Sequence, residues 1–217
     1  MNFYASLRAA LESHLVALRL AATGSRGDIA VAGNAYLRDS GSFLDDGFRA
    51  GDTVLAAGFA IAGDNGHAIV TAVAADRLAV DRPLADAPAG ATVSVTATLP
   101  AARKFEGQPF PRPIGGPWLR VSLKPAGDAV AAFGAGGVTR HSGALLVELC
   151  EPVAAGLGLA RVERLAAGLR GHFRPGTAIE RDGVVVRIRG LRRAAMREAR
   201  DLLTLPLSVE WFCDAAD

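Results

Sequence analysis

Few residues in this chain could do covalent chemistry, and their spacing argues against it. His141-Ser142 and Cys150 offer a base and two nucleophiles on one strand-like segment. Neighbouring strand residues point to opposite faces, so the imidazole and the hydroxyl diverge where a nucleophile and its base must touch. His141, His172 and Asp201 supply no better set, since no base, nucleophile and oxyanion donor can be assembled around them. Asp39, Asp45, Asp46 and Asp52 suggest calcium by type only. The D-x-D-x-D-G spacing is missing, and each stands where a turn favours Asp. The glycines from Gly134 to Gly137 form neither a dinucleotide fingerprint nor a P-loop, because no GK[ST] follows, and read as a mobile loop. The residues therefore predict no catalytic site, no metal and no cofactor.

One charge run stands apart. Arg187, Arg189, Arg192, Arg193, Arg197 and Arg200 fall within fourteen positions. They could meet DNA or an acidic protein ring, or they could form a solvated face paired locally with Glu198 and Asp201. No aromatic residues interleave with them, so a base-stacking platform is unsupported. A sequence-independent DNA-binding protein stays open as an alternative; it would bind as a monomer with steep salt dependence.

The elements that must position these residues follow from hydrophobic period. Phe3, Leu7, Leu11, Leu15 and Leu18 recur at spacings of three and four, which predicts an amphipathic helix with Asn2 as its N-cap and Thr23-Gly24 as its stop. Short strand patterns then appear at Ile29–Val31, Thr53–Leu55, Ala68–Val73, Arg77–Val80 and Thr92–Thr96, separated by Asp/Gly/Asn turns. They predict a small all-β barrel or sandwich. After Pro100 come alternating strands around Leu119–Leu123 and Leu145–Leu149, a helix from Leu159 to Phe173 ended by Pro175-Gly176, and strands at Val184–Ile188 and Leu205–Trp211. The expected fold class is α+β: an antiparallel sheet packed by two helices in the order α-β-β-α-β-β. Residues 1–24 and 98–217 form that frame and 25–97 an inserted β module.

Charge follows the same division. The 217 residues carry a net +2 with 21% charged side chains, so no whole-chain field points to nucleic acid or membrane. From Ser25 to Ala97 there are five arginines against nine aspartates, a balance of −4, while the rest carries +6. Cys150 and Cys213 each end an apolar strand pattern and read as buried thiols, which suits synthesis in a reducing cytosol. Arg8, Glu12 and Arg19 interrupt the first apolar residues, so neither a signal peptide nor a membrane span is predicted, and the chain is expected to be soluble.

Several segments together resemble the tail terminators, a minor tail protein family of long-tailed bacteriophages. The resemblance rests on the opening helix, Phe110-Pro-Arg-Pro leading into Pro117-Trp-Leu-Arg-Val, Gly136-Gly-Val-Thr-Arg-His-Ser-Gly-Ala, the second helix and the closing Leu207-Ser-Val-Glu-Trp. Gly41-Ser-Phe-Leu-Asp-Asp-Gly-Phe48 and Gly51-Asp-Thr-Val54 resemble a β module of phage tail and head-completion proteins, although family members usually lack such an insert. The resemblance implies a non-enzymatic virion protein: a hexameric homo-oligomeric ring that caps the tail tube, stops its polymerisation and offers a surface for head-tail joining. Its implied partners are the tail tube protein and a head-completion or connector protein, with genomic DNA passing through the lumen without sequence-specific contacts. Its implied place is the tail or neck of a virion assembled in a bacterial cytoplasm, and another neck or completion ring is the near alternative. Trp118, Phe133, Arg140 and Arg192 are the expected contacts, joined by Arg187, Arg189, Arg193 and Arg197 from the basic run; for Trp118, core burial is the equal alternative.

Overall fold

A computed structural model of the chain describes residues 3–90, 92–133, 137–153 and 158–216. Contacts divide the chain into two compact units: one built from the residues up to Leu18 together with those from Ala102 onward, the other from Arg19–Ala101.

In the first unit, helix α1 (Phe3–Val16) buries Leu7, Leu11 and Leu15. It ends earlier than the Thr23-Gly24 stop because the backbone tightens at Ala17 and Leu18. The Asn2 cap lies outside the described residues. Four long or central strands follow: β9 (Trp118–Ala132), β10 (Val138–Pro152), β12 (Val184–Arg193) and β14 (Leu202–Ala216). Three short ones, β8 (Ala102–Phe105), β11 (Ala178–Arg181) and β13 (Arg197–Ala199), complete a sheet ordered β11-β12-β14-β10-β9-β8, with β13 beside β14. The order α-β-β-α-β-β is thus too short by these three strands. The sheet is also mixed, since β8 runs parallel to β9. The missed strands have only three or four residues, too few for an alternation to register.

Leu119, Val121 and Leu123 on β9, Leu145, Val147 and Leu149 on β10, and Leu205, Leu207, Val209 and Trp211 on β14 alternate with more exposed residues and fill one face. Helix α2 (Gly158–His172) lays Val162, Leu165 and Leu169 over β10 and β14, and α1 lies over β11 and β12. At about 1.5–3 kcal/mol for each large apolar side chain taken from water, this face supplies most of the unit's stability. Among the described residues, the opposite face carries no helix of this unit.

The second unit is a seven-stranded antiparallel sheet of β1 (Ala21–Ala22), β2 (Ile29–Ala32), β3 (Ala35–Arg38), β4 (Thr53–Ala57), β5 (Gly66–Val73), β6 (Arg77–Val80) and β7 (Ser94–Thr98), ordered β1-β7-β4-β5-β6-β3-β2. Single bridges Arg26↔Val93 and Val31↔Ala87 tie the β2 side back to the segment leading into β7. The sheet so curls round one core that includes Ile29, Tyr36, Phe43, Phe48, Val54, Val70, Leu78 and Val95. Among the described residues, no helix in either unit is long and apolar enough to cross a membrane.

Candidate interaction surface

The helix-free face of the first unit's sheet is where the predicted arginines gather, and strand register decides which of them reach it. Residues directly opposite in an antiparallel pair point to the same face. Arg187 pairs with Phe212 and Arg140 with Asp214, placing both arginines on the helix-free face. Arg140 makes two hydrogen bonds to Asp214, of 2.6 and 2.7 Å, and its guanidinium lies 4.6 Å from the Phe212 ring centroid. Arg189 lies 5.1 Å from the same ring. The hydrogen bonds from Arg140, and more weakly the Arg187 charge, hold the Asp214 carboxyl below the usual carboxylate range.

A register shift between Ile188 and Gly190 then breaks the alternation. After this bulge Arg192 pairs with Ser208 and stays on the helix-free face, where it reaches Glu210 at 2.8 Å. Arg193 pairs with Leu207 and turns to the helix face, making a bidentate pair of two 2.6 Å bonds to Glu163 of α2. The run is therefore not one continuous basic face, and among the described residues it makes no salt bridge to its sequence neighbours Glu198 and Asp201. Its carboxylate partners are Glu163 and Glu210, which no local reading of the sequence could supply. Arg197 lies exposed on β13.

A hollow of about 380 Å³ opens on the same face, lined by Lys124, Ser142, Ala144, Arg189, Arg192 and Glu210. Farther along, Arg120 pairs with Glu148 at 3.0 Å, and Glu106 lies 3.6 Å from Lys124 and 2.9 Å from Arg8. Trp118 is only 5% exposed and belongs to the core: it lies opposite Cys150, with Phe110 of the proline-rich segment 5.3 Å from its ring. Phe133 is the reverse case, 94% exposed where β9 leaves the sheet, with Val130 exposed nearby. Gly134 and Gly136 lie outside the described residues.

The candidate catalytic residues are not brought together. His141 Nδ1 lies 2.7 Å from Asp128, while the Ser142 hydroxyl donates to the Gly127 carbonyl at 3.2 Å. Cys150 sits at the other end of β10, and burial pushes its thiol up to about 11. His172 stacks on His14. Among the described residues, no three His, Cys, Asp or Glu side chains form a metal-binding group. Of the turn aspartates, Asp52 accepts the Arg49 backbone N–H at 2.9 Å and Asp46 pairs with Arg38 at 2.5 Å.

Residues 85–211, more than half of the chain, match the family model described as phage tail terminator protein. No curated protein matches the sequence. A protein of solved structure is 23% identical, with 52% of this chain and 78% of that one covered and a TM-score of 0.43. A chain from the virion of a native gene transfer agent particle is 18% identical, with 53% and 80% covered and a TM-score of 0.36.

Proposed function

This chain belongs to the phage tail terminator family, and from that premise we propose that it forms a hexameric ring that caps the finished tail tube. The family is a structural one and not an enzyme family. The match over residues 85–211 carries the reading. In the proposed mechanism one annular face copies what the tube expects, while the other refuses a further tube subunit and receives the head-completion protein. Genomic DNA then passes through the lumen without sequence-specific contact. Assembly takes place in the host cytoplasm and the product is part of the tail or neck.

The arginine-bearing sheet face and the Phe133 tip support this reading as contact surfaces, because both expose residue types that interfaces favour. Phe133, Arg140, Arg187, Arg189, Arg192 and Arg197 remain proposed contacts. Trp118 does not, and Arg193 serves α2 instead. Residues 25–97 are proposed to be an inserted β module carried by this ring. The test is tail length. Host cells making tails without this protein should accumulate overlong tubes in electron micrographs, and restoring the protein should restore one length. Tubes of normal, uniform length without it would sink the reading.

A further inference from the structure

We propose that neighbouring copies associate head to tail, the acidic end of the second unit of one copy docking on the Arg140–Arg187–Arg189 cluster around Phe212 of the next. The inference rests on the ring reading and names its subunit contact.

The basic side has an unbalanced charge. Arg140 and Arg189 lie against the Phe212 ring and Arg187 is its cross-strand partner; of the three, among the described residues, only Arg140 forms a salt bridge, to Asp214. Among the described residues Arg187 and Arg189 make no salt bridge, although the Arg187 charge also acts on Asp214, and Arg189 and Arg192 wall the hollow on this sheet face.

The acidic side is built by two backbone hydrogen bonds. Arg38 N–H donates to the Asp76 carbonyl at 3.0 Å and Phe43 N–H to Ala75 at 2.8 Å, which sets the segment from Asp39 to Asp46 against the turn after β5. Arg26 and Arg38 at this end are consumed by Asp28 and Asp46, at 2.6 and 2.5 Å. Arg49 donates to the Leu44 and Phe48 carbonyls and Arg77 to the Gly33 carbonyl, so these two keep their charge and are outnumbered by the three carboxylates Asp39, Asp45 and Asp76. Asp39, Asp45 and Asp76 are exposed and make no ion pair among the described residues, and Leu44 beside Asp45 is 43% exposed.

Each surface thus lacks what the other offers: surplus carboxylates beside an exposed leucine against surplus guanidiniums about a half-buried phenyl ring. Opposite potentials select partner and register, while like surfaces repel. Because the two surfaces differ, the contact is heterologous and repeats from copy to copy, closing into a ring when the rotation permits.

A charge swap on the full-length chain tests this, with association read by sedimentation velocity at low and high salt. Wild type should self-associate, and about tenfold more weakly when salt rises from roughly 0.05 to 0.5 M. Arg187→Glu with Arg189→Glu should weaken association by about tenfold or more, as should Asp39→Arg with Asp45→Arg and Asp76→Arg. The chain carrying all five should recover most of the loss. Circular dichroism checks that each variant is folded. Should one fail to fold, Asp45→Cys mixed with Arg189→Cys should give a disulfide-linked pair that neither gives alone, since Cys150 and Cys213 are buried. A monomer at every salt, association indifferent to either reversal, no recovery in the combined chain, or no mixed disulfide would overturn the contact. A chain that still sets tail length while ignoring the charge swap would keep the terminator reading and lose only this inference.

Discussion

His14 and His172, 158 positions apart, stack with ring centroids 4.0 Å apart and planes inclined by 16°, joining the C-terminal ends of α1 and α2. Each Nε2–H donates to the other residue's backbone carbonyl, at 2.7 Å from His172 and 3.3 Å from His14. The His14 carbonyl also accepts the Ala17 N–H at 3.1 Å, and the imidazoles add donors to the carbonyl-rich helix ends. Phe173, fully buried, meets both rings edge-on.

This pair should make the unit acid-sensitive. Burial, and then the neighbouring His172, hold His14 below the ordinary imidazole value of 6.5. The folded state therefore resists a proton that the unfolded state accepts. The stability that this group contributes is full above pH 6.5 and is lost as the pH falls through the lower folded value. Thermal melts should show a lower Tm at pH 5.5 than at 7.5, and His14→Phe should flatten that difference. An unchanged pH dependence in the variant would remove His14 as its source.

Gly143 should tolerate no side chain. A Cβ there would stand 2.4 Å from the Lys124 carbonyl oxygen and 2.6 Å from Trp211 Cζ2, beside the register shift between Ser142 and Gly143. Backbone cannot yield as a flexible side chain would, so Gly143→Ala should cost about 1–3 kcal/mol in urea denaturation. A loss under half a kilocalorie would mean the β9–β10 ribbon gives way more freely than its register implies.

Where a face is buried, the sequence announces its elements; where both faces meet water, it falls silent. Leu119–Leu123 and Leu145–Leu149 alternate because α2 and its neighbours cover one side, yet β9 runs on through Pro125–Ala132 with no such alternation. β3 lies outside the predicted strands although its turn is legible: Gly33 and Asn34, at φ 54° and 56°, form the two-residue turn that primed hairpins require. The arginines are a third case. Their types point to a surface, but the bulge at Gly190 puts Arg192 rather than Arg193 on the face of Arg187, and the chemistry of a bulge is not written in alternation.

Neither cysteine should react in the folded protein. Cys150 and Cys213 are each 2% exposed, and burial raises both thiols, Cys150 to about 11. At pH 7.5 the thiolate, the reactive form, is scarce and shielded. Ellman's reagent should titrate almost nothing in native buffer and both thiols in concentrated urea. Fast native labelling of one thiol would mean that its strand end opens.

The Glu151–Arg161 pair gives the sharpest test of how α2 is seated on the sheet. The two charges lie 3.0 Å apart with side chains 1% and 5% exposed, joining the end of β10 to the first turns of α2. Burial raises the Glu151 carboxyl above its ordinary 4.5, while Arg161 draws it back. Removing one partner of a buried pair strands the other charge, so Arg161→Met should destabilise the protein by about 3 kcal/mol near neutral pH. The sign of its pH dependence follows from the raised value. The folded state then holds a proton that the unfolded state has released, so this stability is full below pH 4.5 and lost as pH rises through the folded value. Without Arg161 that value climbs further, and the variant should recover part of its deficit between pH 7.5 and 5.5. Adding Glu151→Gln should abolish this recovery and restore much of the stability at neutral pH. If Arg161→Met alone melts like wild type at pH 7.5, the pair is open to water and does not hold α2 in place.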